Sequence, residues 1–97
     1  MLDLKEVNQV VKMAAVAALK REGLRIYNVP ATDSDGREAL HVTIILLGGK
    51  RKEVSGDSAL DAIVRIQRDL RRSGEERFPI IEFATDEEMA PDVDTQP

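Results

Sequence analysis

The sequence predicts one α+β domain of two layers, in which a three-stranded mixed sheet packs against two helices in the order αββαβ. Three observations lead to this fold class. The length of 97 residues suits a single domain. Apolar residues recur at helical spacing in two segments, and three stretches rich in β-branched residues accompany them. We expect the sheet order 1-2-3, an antiparallel hairpin followed by a right-handed parallel crossover.

The first helix is expected from Leu4 to Glu22. Asp3 and Glu6 have the spacing of a capping box, and Gly23 is a typical residue to follow a helix C-terminus. One face of this helix carries the apolar residues at helical spacing, which are Leu4, Val7, Val11, Ala14, Ala15, Ala18 and Leu19.

The hairpin comes next. Its first strand is expected from Leu24 to Val29 and is ended by Pro30, and the turn contains an Asp-Gly pair at 35–36. The second strand is expected from Ala39 to Leu47. Apolar residues occupy both of its alternating faces, which indicates a central strand. With both helices on one side of the sheet, however, the other side would stay uncovered.

The second helix is expected to begin near Ser58, which forms a capping pair with Asp61, and to end near Ser73. Its apolar side is expected to comprise Leu60, Ile63, Val64, Ile66 and Leu70. The last strand is expected from Phe78 to Ala84, and Pro79 near its start suits a strand at the edge of the sheet.

Composition and charge narrow the classes of function. The net charge is −4, and residues 78–97 carry six acidic and no basic side chains. We expect a single domain over residues 1–89 and a disordered acidic tail over residues 90–97. The chain has no cysteine, which excludes disulfides, thiolate catalysis and iron–sulfur clusters, and no apolar run of membrane-spanning length. These features favour a cytoplasmic protein that does not enter a membrane.

The sequence offers little for catalysis or metal binding. His41 is the only histidine, and no carboxylate stands at metal-ligand spacing from it. No orienting partner for it as a general base is evident either. We expect an ordinary histidine on a sheet face, no metal or cofactor, and no enzymatic activity.

Basic residues concentrate in two places. One is a loop after the second strand, Lys50, Arg51 and Lys52; the other is the solvent face of the second helix, Arg65, Arg68 and Arg72. Asp61 and Asp69 interlace with the helix arginines, which is typical of an exposed salt-bridged surface. The alternative is that both groups contact an anion or RNA.

The order of elements, helix, two strands, helix and strand, resembles type II KH-like domains such as the bacterial ribosome-binding factor A family. That resemblance implies an RNA-binding function. The Gly-x-x-Gly segment with which KH domains clamp a nucleic-acid backbone is missing here, and the second helix has no internal break at which it would sit.

The function that the sequence favours is a non-catalytic protein–protein interaction domain, which most simply forms a homodimer or binds another protein. It would use the uncovered sheet face or the edge of the last strand. The residues expected at the contact are Tyr27, Val29, His41, Thr43, Ile45 and Leu47. The alternative is a small KH-like RNA-binding domain that uses the basic loop and the exposed face of the second helix.

Overall fold

A computed structural model of the protein describes residues 1–48 and 54–86. Its elements are α1 (Leu4–Leu19), β1 (Leu24–Thr32), β2 (Glu38–Leu46), α2 (Gly56–Arg72) and β3 (Phe78–Thr85). They form a three-stranded sheet of order β1-β2-β3, antiparallel between β1 and β2 and parallel between β2 and β3. The predicted fold class is therefore confirmed. The basic loop at 50–52 and the acidic tail at 90–97 lie outside the described residues.

The first helix begins as predicted and ends early. The capping box is present, because the Glu6 N–H donates to the Asp3 carboxylate at 2.9 Å and the Glu6 side chain accepts from the Asp3 N–H. The helix ends at Leu19 rather than Glu22. Lys20 takes a left-handed conformation, with φ of 57°, and its N–H bonds back to the helix, so the cap lies before the glycine that was expected to supply it.

Strand β1 continues through Pro30, which was expected to end it. The Asp33 N–H donates to the Arg37 carbonyl at 2.9 Å, and the Leu47 N–H donates to the Gly23 carbonyl at 2.8 Å. Backbone groups alternate in direction along a strand, so the odd-numbered residues of β1 bond to β2 and the even-numbered ones face away. Pro30 faces away from β2, where its missing N–H breaks no bond of the sheet.

One face of the sheet forms the core with both helices. Four even-numbered residues of β2 on this face have no solvent exposure: Leu40, Val42, Ile44 and Leu46. The helices cover them with the buried side chains of Val7, Val11, Ile66 and Leu70. The expectation that both helices lie on the same side of the sheet is thus correct.

Neither α1 nor α2 is long and apolar enough to cross a membrane.

The face that the second helix presents to the core overlaps the predicted one only in part. Its N-cap is Ser55 rather than Ser58, whose N–H donates to the Ser55 hydroxyl at 3.0 Å. Leu60 and Val64 are exposed, and Ile63 is half-buried. The predicted apolar side spans about 160° of the helix at 100° per residue, and the core covers only the part of it that contains Ile66 and Leu70. The buried residues are Ala62, Ile66 and Leu70.

Candidate functional site

The side of the sheet opposite the helices, here called the open face, carries the odd-numbered residues of β1 and β2 and the even-numbered residues of β3. The register of the strands arranges these side chains in rows. From one end of the sheet to the other, the rows are Ala31–Ala39–Phe78, Val29–His41–Ile80, Tyr27–Thr43–Glu82 and Arg25–Ile45–Ala84.

Four large apolar side chains of the open face reach solvent. Tyr27 is 47% exposed and Val29 is 59% exposed on β1, while Phe78 is 55% exposed and Ile80 is 41% exposed on β3. They lie in three adjacent rows and flank the central strand on both sides. An apolar group of this kind on one side of a sheet is a typical sign of an interaction surface.

The six residues expected at the contact differ in exposure. Tyr27, Val29 and His41 are exposed, Thr43 and Leu47 are half-buried, and Ile45 is only 3% exposed. Ile45 lies in the central strand with Arg25 and Ala84 as its register neighbours, so strands on both sides shield it. Leu47 lies just beyond the end of β2. Sequence reasoning missed Phe78 and Ile80, because the outward residues of β3 follow only from its register with β2.

A polar pair lies between the apolar side chains. The His41 Nε2 atom on β2 contacts the Glu82 Oε1 atom on β3, and both side chains are about half exposed. The two residues are 41 positions apart in the chain. Only the parallel pairing of β2 with β3 brings them together, which is why their spacing in the sequence gave no sign of a carboxylate beside the histidine.

At each edge of the sheet, the nitrogen of a proline points away from the central strand. Pro30 does so on β1, as described above. On the other edge, the Asp86 N–H donates to the Leu46 carbonyl at 3.3 Å, so the even-numbered amides of β3 point toward β2. The nitrogen of Pro79 therefore points away from β2, although the residue itself is buried. A proline at these positions removes the N–H that an added strand would need, which disfavours growth of the sheet at its edges.

Two of the three arginines predicted on the second helix form ion pairs with neighbouring aspartates. The Arg65 Nε atom lies 3.1 Å from the Asp61 carboxylate, and the Arg68 Nε atom lies 3.1 Å from the Asp69 carboxylate. Arg72 is exposed in the last turn. Since α2 packs on the covered side of the sheet, these arginines lie on the other side of the molecule from the open face.

A buried ion pair, missed by the sequence reasoning, holds the N-terminal segment. Glu75 is 5% exposed and accepts bonds at 2.9 Å from the Arg77 Nε and Nη2 atoms and at 3.1 Å from the Leu2 N–H. The Arg77 Nη2 atom also donates to the Leu2 carbonyl at 2.8 Å. The hydrogen bonds from Arg77 outweigh the opposing effect of burial and lower the pKa of Glu75 to about 2. These groups satisfy one another, so the arrangement is structural.

No family model matches this chain, and no curated protein matches it. The functional proposal therefore depends on the surface of the molecule itself. Other exposed apolar side chains occur on the helices, namely Leu4, Met13, Leu60 and Val64. The open face differs from them in combining four such side chains in adjacent rows of one sheet.

Proposed function

We propose that this protein is a non-catalytic interaction domain of the cytoplasm that forms a homodimer through the open face of its sheet. The observation that carries the proposal is the group of exposed apolar side chains at Tyr27, Val29, Phe78 and Ile80. Covering them in a complex removes apolar area from water, which is the main driving force for association.

A second copy of the chain fits this surface by size. A two-fold axis parallel to β2 would set β1 of one copy over β3 of the other and keep the rows in register. Phe78 would then face Ala31 of the partner subunit, and Val29 would face Ile80 of the partner subunit. Each large side chain of the first row thus meets a small one, twice by symmetry, as an isologous interface requires.

The polar groups of the open face favour the same axis. Tyr27 would face Glu82 of the partner subunit, so its hydroxyl can donate to that carboxylate. An axis across the strands would instead set Phe78 or Ile80 against Glu82 of the partner subunit, which places a carboxylate on an apolar side chain. Association through the sheet edges is disfavoured by the outward prolines.

The size of the face indicates a modest affinity. Three strands of about eight residues cover roughly 27 Å by roughly 14 Å. That is a small area for a stable interface, since a standard one buries about 800 Å² on each partner. We therefore expect a dimer with a dissociation constant on the order of tens of micromolar.

Sedimentation equilibrium of the wild-type chain and two aspartate variants tests the proposal. Val29→Asp places a charge on the open face and should leave the protein monomeric. Val64→Asp is the matched control, because Val64 is similarly exposed, at 52% compared with 59%, but lies on α2. It should dimerise like the wild type. Circular dichroism should show the same helix content in all three proteins.

Two results would contradict the proposal. One is a wild-type chain that stays monomeric at about 1 mM, a concentration at which even weak interfaces associate. The other is a dimer that Val64→Asp disrupts and Val29→Asp leaves intact, which would move the interface to the helices.

A further inference from the structure

The centre of the open face is polar, although its surroundings are apolar. His41 and Glu82 meet there across β2 and β3, with side chains that are 47% and 55% exposed. In the proposed dimer this pair would be covered by the second copy. A carboxylate that loses water needs a compensating positive charge, because burying an unpaired charge is costly.

The two side chains are of the types that bind zinc. An imidazole nitrogen and a carboxylate oxygen each coordinate Zn²⁺ at about 2.0–2.2 Å, and the ion usually takes four ligands in a tetrahedral arrangement. One chain supplies two of them. Among the residues that the structure describes, no three histidine, cysteine or acidic side chains converge on one point, so a single copy offers half a site at most.

The two-fold axis of the proposed dimer supplies the other half. This axis sets β1 over β3 of the second copy, so it runs directly above the central strand β2. The outward residues of β2 therefore lie close to the axis. His41 would therefore face His41 of the partner subunit, with Glu82 of each copy beside its own histidine. Two imidazoles in the neutral, ligating form and two carboxylates carry a charge of −2 together, and one divalent ion neutralises it.

We propose that His41 and Glu82 are one half of a metal site for Zn²⁺ or a similar transition-metal ion, and that the same pair in a second copy of the chain completes it. This inference rests on the proposed dimer. The ion binds the dimer and has no complete site on the monomer, so by mass action it shifts the equilibrium toward the dimer.

Sedimentation equilibrium of the full chain, first with EDTA and then with zinc chloride, tests the site. Zinc should lower the dimer dissociation constant by at least about tenfold, which is the effect of an ion held well above its own dissociation constant. The sedimented dimer should contain one zinc ion for two chains. His41→Ala and Glu82→Gln should still dimerise in EDTA and should lose the response to zinc.

Glu76→Gln is the matched control, because Glu76 is exposed but lies outside the open face, and this variant should keep the zinc response. A chain that dimerises in EDTA and gains no affinity from zinc would overturn the metal site and leave the proposed self-association standing. In that case Arg25, one row beyond Glu82, is the residue that neutralises the carboxylates. A chain that is monomeric with EDTA and with zinc would overturn both proposals.

Discussion

The two faces of β2 are built from one strand and differ in what they contact. On the covered face, Leu40, Val42, Ile44 and Leu46 have no exposure beneath the two helices. On the open face, the same strand alternates between the exposed His41, the half-buried Thr43 and the buried Ile45. Apolar residues occur on both faces, so hydrophobicity alone does not distinguish a face that folding covers from one that it leaves open.

The neighbouring strands explain the difference within the open face. Ile45 is shielded at the sides without any helix above it, whereas the apolar residues of the outer strands β1 and β3 have a neighbouring strand on one side only. Val29, Phe78 and Ile80 therefore remain exposed. Large apolar side chains of an outer strand on an uncovered face stay in contact with water when the chain folds, so they add little to folding stability. Association removes them from water and is therefore favourable.

Two single variants, each with one residue of the open face replaced by aspartate, test this comparison most directly. Ile45→Asp should remove most of the folding stability, a loss of about 3 kcal/mol or more, because it places a carboxylate in a buried position. Val29→Asp should change the monomer's free energy of unfolding by less than about 0.5 kcal/mol. Urea unfolding at a concentration where the wild type is monomeric separates the two effects. Equal losses would show that the open face is buried or exposed as a unit.

A similar pair of variants tests the covered side. Ile66→Ala should cost about 2–5 kcal/mol, because Ile66 has no exposure and fills the space between α2 and the sheet. Val64→Ala, on the same helix but 52% exposed, should cost less than about 0.5 kcal/mol. Denaturant midpoints measure both. If Val64→Ala were the more costly, the helix would present the opposite face to the sheet.

Local patterns predicted the elements of this fold well, and pairing between distant residues was harder to predict. The capping box at Asp3 and Glu6 acts within one turn, so the sequence alone reveals it. The expectation that Pro30 ends β1 was wrong. The effect of a proline in a strand depends on which way its nitrogen faces, and the pairing with β2 decides that direction. The contact between His41 and Glu82 is likewise a product of the register between two strands.

The same reason explains why the candidate contact residues were only partly foreseen. Alternation along β2 correctly assigns His41, Thr43 and Ile45 to one face of the sheet. It does not predict that two flanking strands leave Ile45 only 3% exposed, nor that β3 adds Phe78 and Ile80 to that face. On α2, propensity and spacing permitted several apolar sides, and packing against the sheet selected one.

The ion pair of Glu75 makes the stability of the covered side depend on pH. The pKa of Glu75 is lowered from 4.5 to about 2 in the folded chain, chiefly by hydrogen bonds from Arg77. A carboxyl whose pKa is lower in the folded than in the unfolded chain stabilises the fold fully at pH values above its unfolded pKa. This stabilisation, about 3 kcal/mol for such a shift, is lost as the pH falls from 4.5 toward 2.

The variant Glu75→Gln isolates this contribution. The free energy of unfolding of the wild type should fall more steeply than that of the variant between these two pH values, while other carboxyls affect both proteins alike. The two stability curves should also approach each other near pH 2. Curves that stay parallel over this range would show that the contact with Arg77 and Leu2 does not stabilise the folded chain.

The smallest effect is expected for nucleic acid. Arg65 and Arg68 are each paired with an aspartate on α2, so these charges are partly neutralised before any phosphate arrives. The exposed aromatic rings of Tyr27 and Phe78, which could stack on bases, lie on the open face on the other side of the sheet. Within residues 1–48 and 54–86, the helix arginines and these aromatic rings therefore do not share a surface. Mixed-sequence RNA should bind weakly at low salt and undetectably at about 150 mM, where the screening length is about 8 Å.

A salt titration measures this directly. Phosphate contacts give a steep linear fall of log K with log salt, with a slope set by the number of contacts. The variant that replaces Arg65, Arg68 and Arg72 with alanine should bind RNA no differently from the wild type at about 150 mM. Submicromolar binding with a steep salt dependence, lost in this variant, would make the helix layer the functional side of the molecule. The open face would then have to be explained without self-association as the protein's main function.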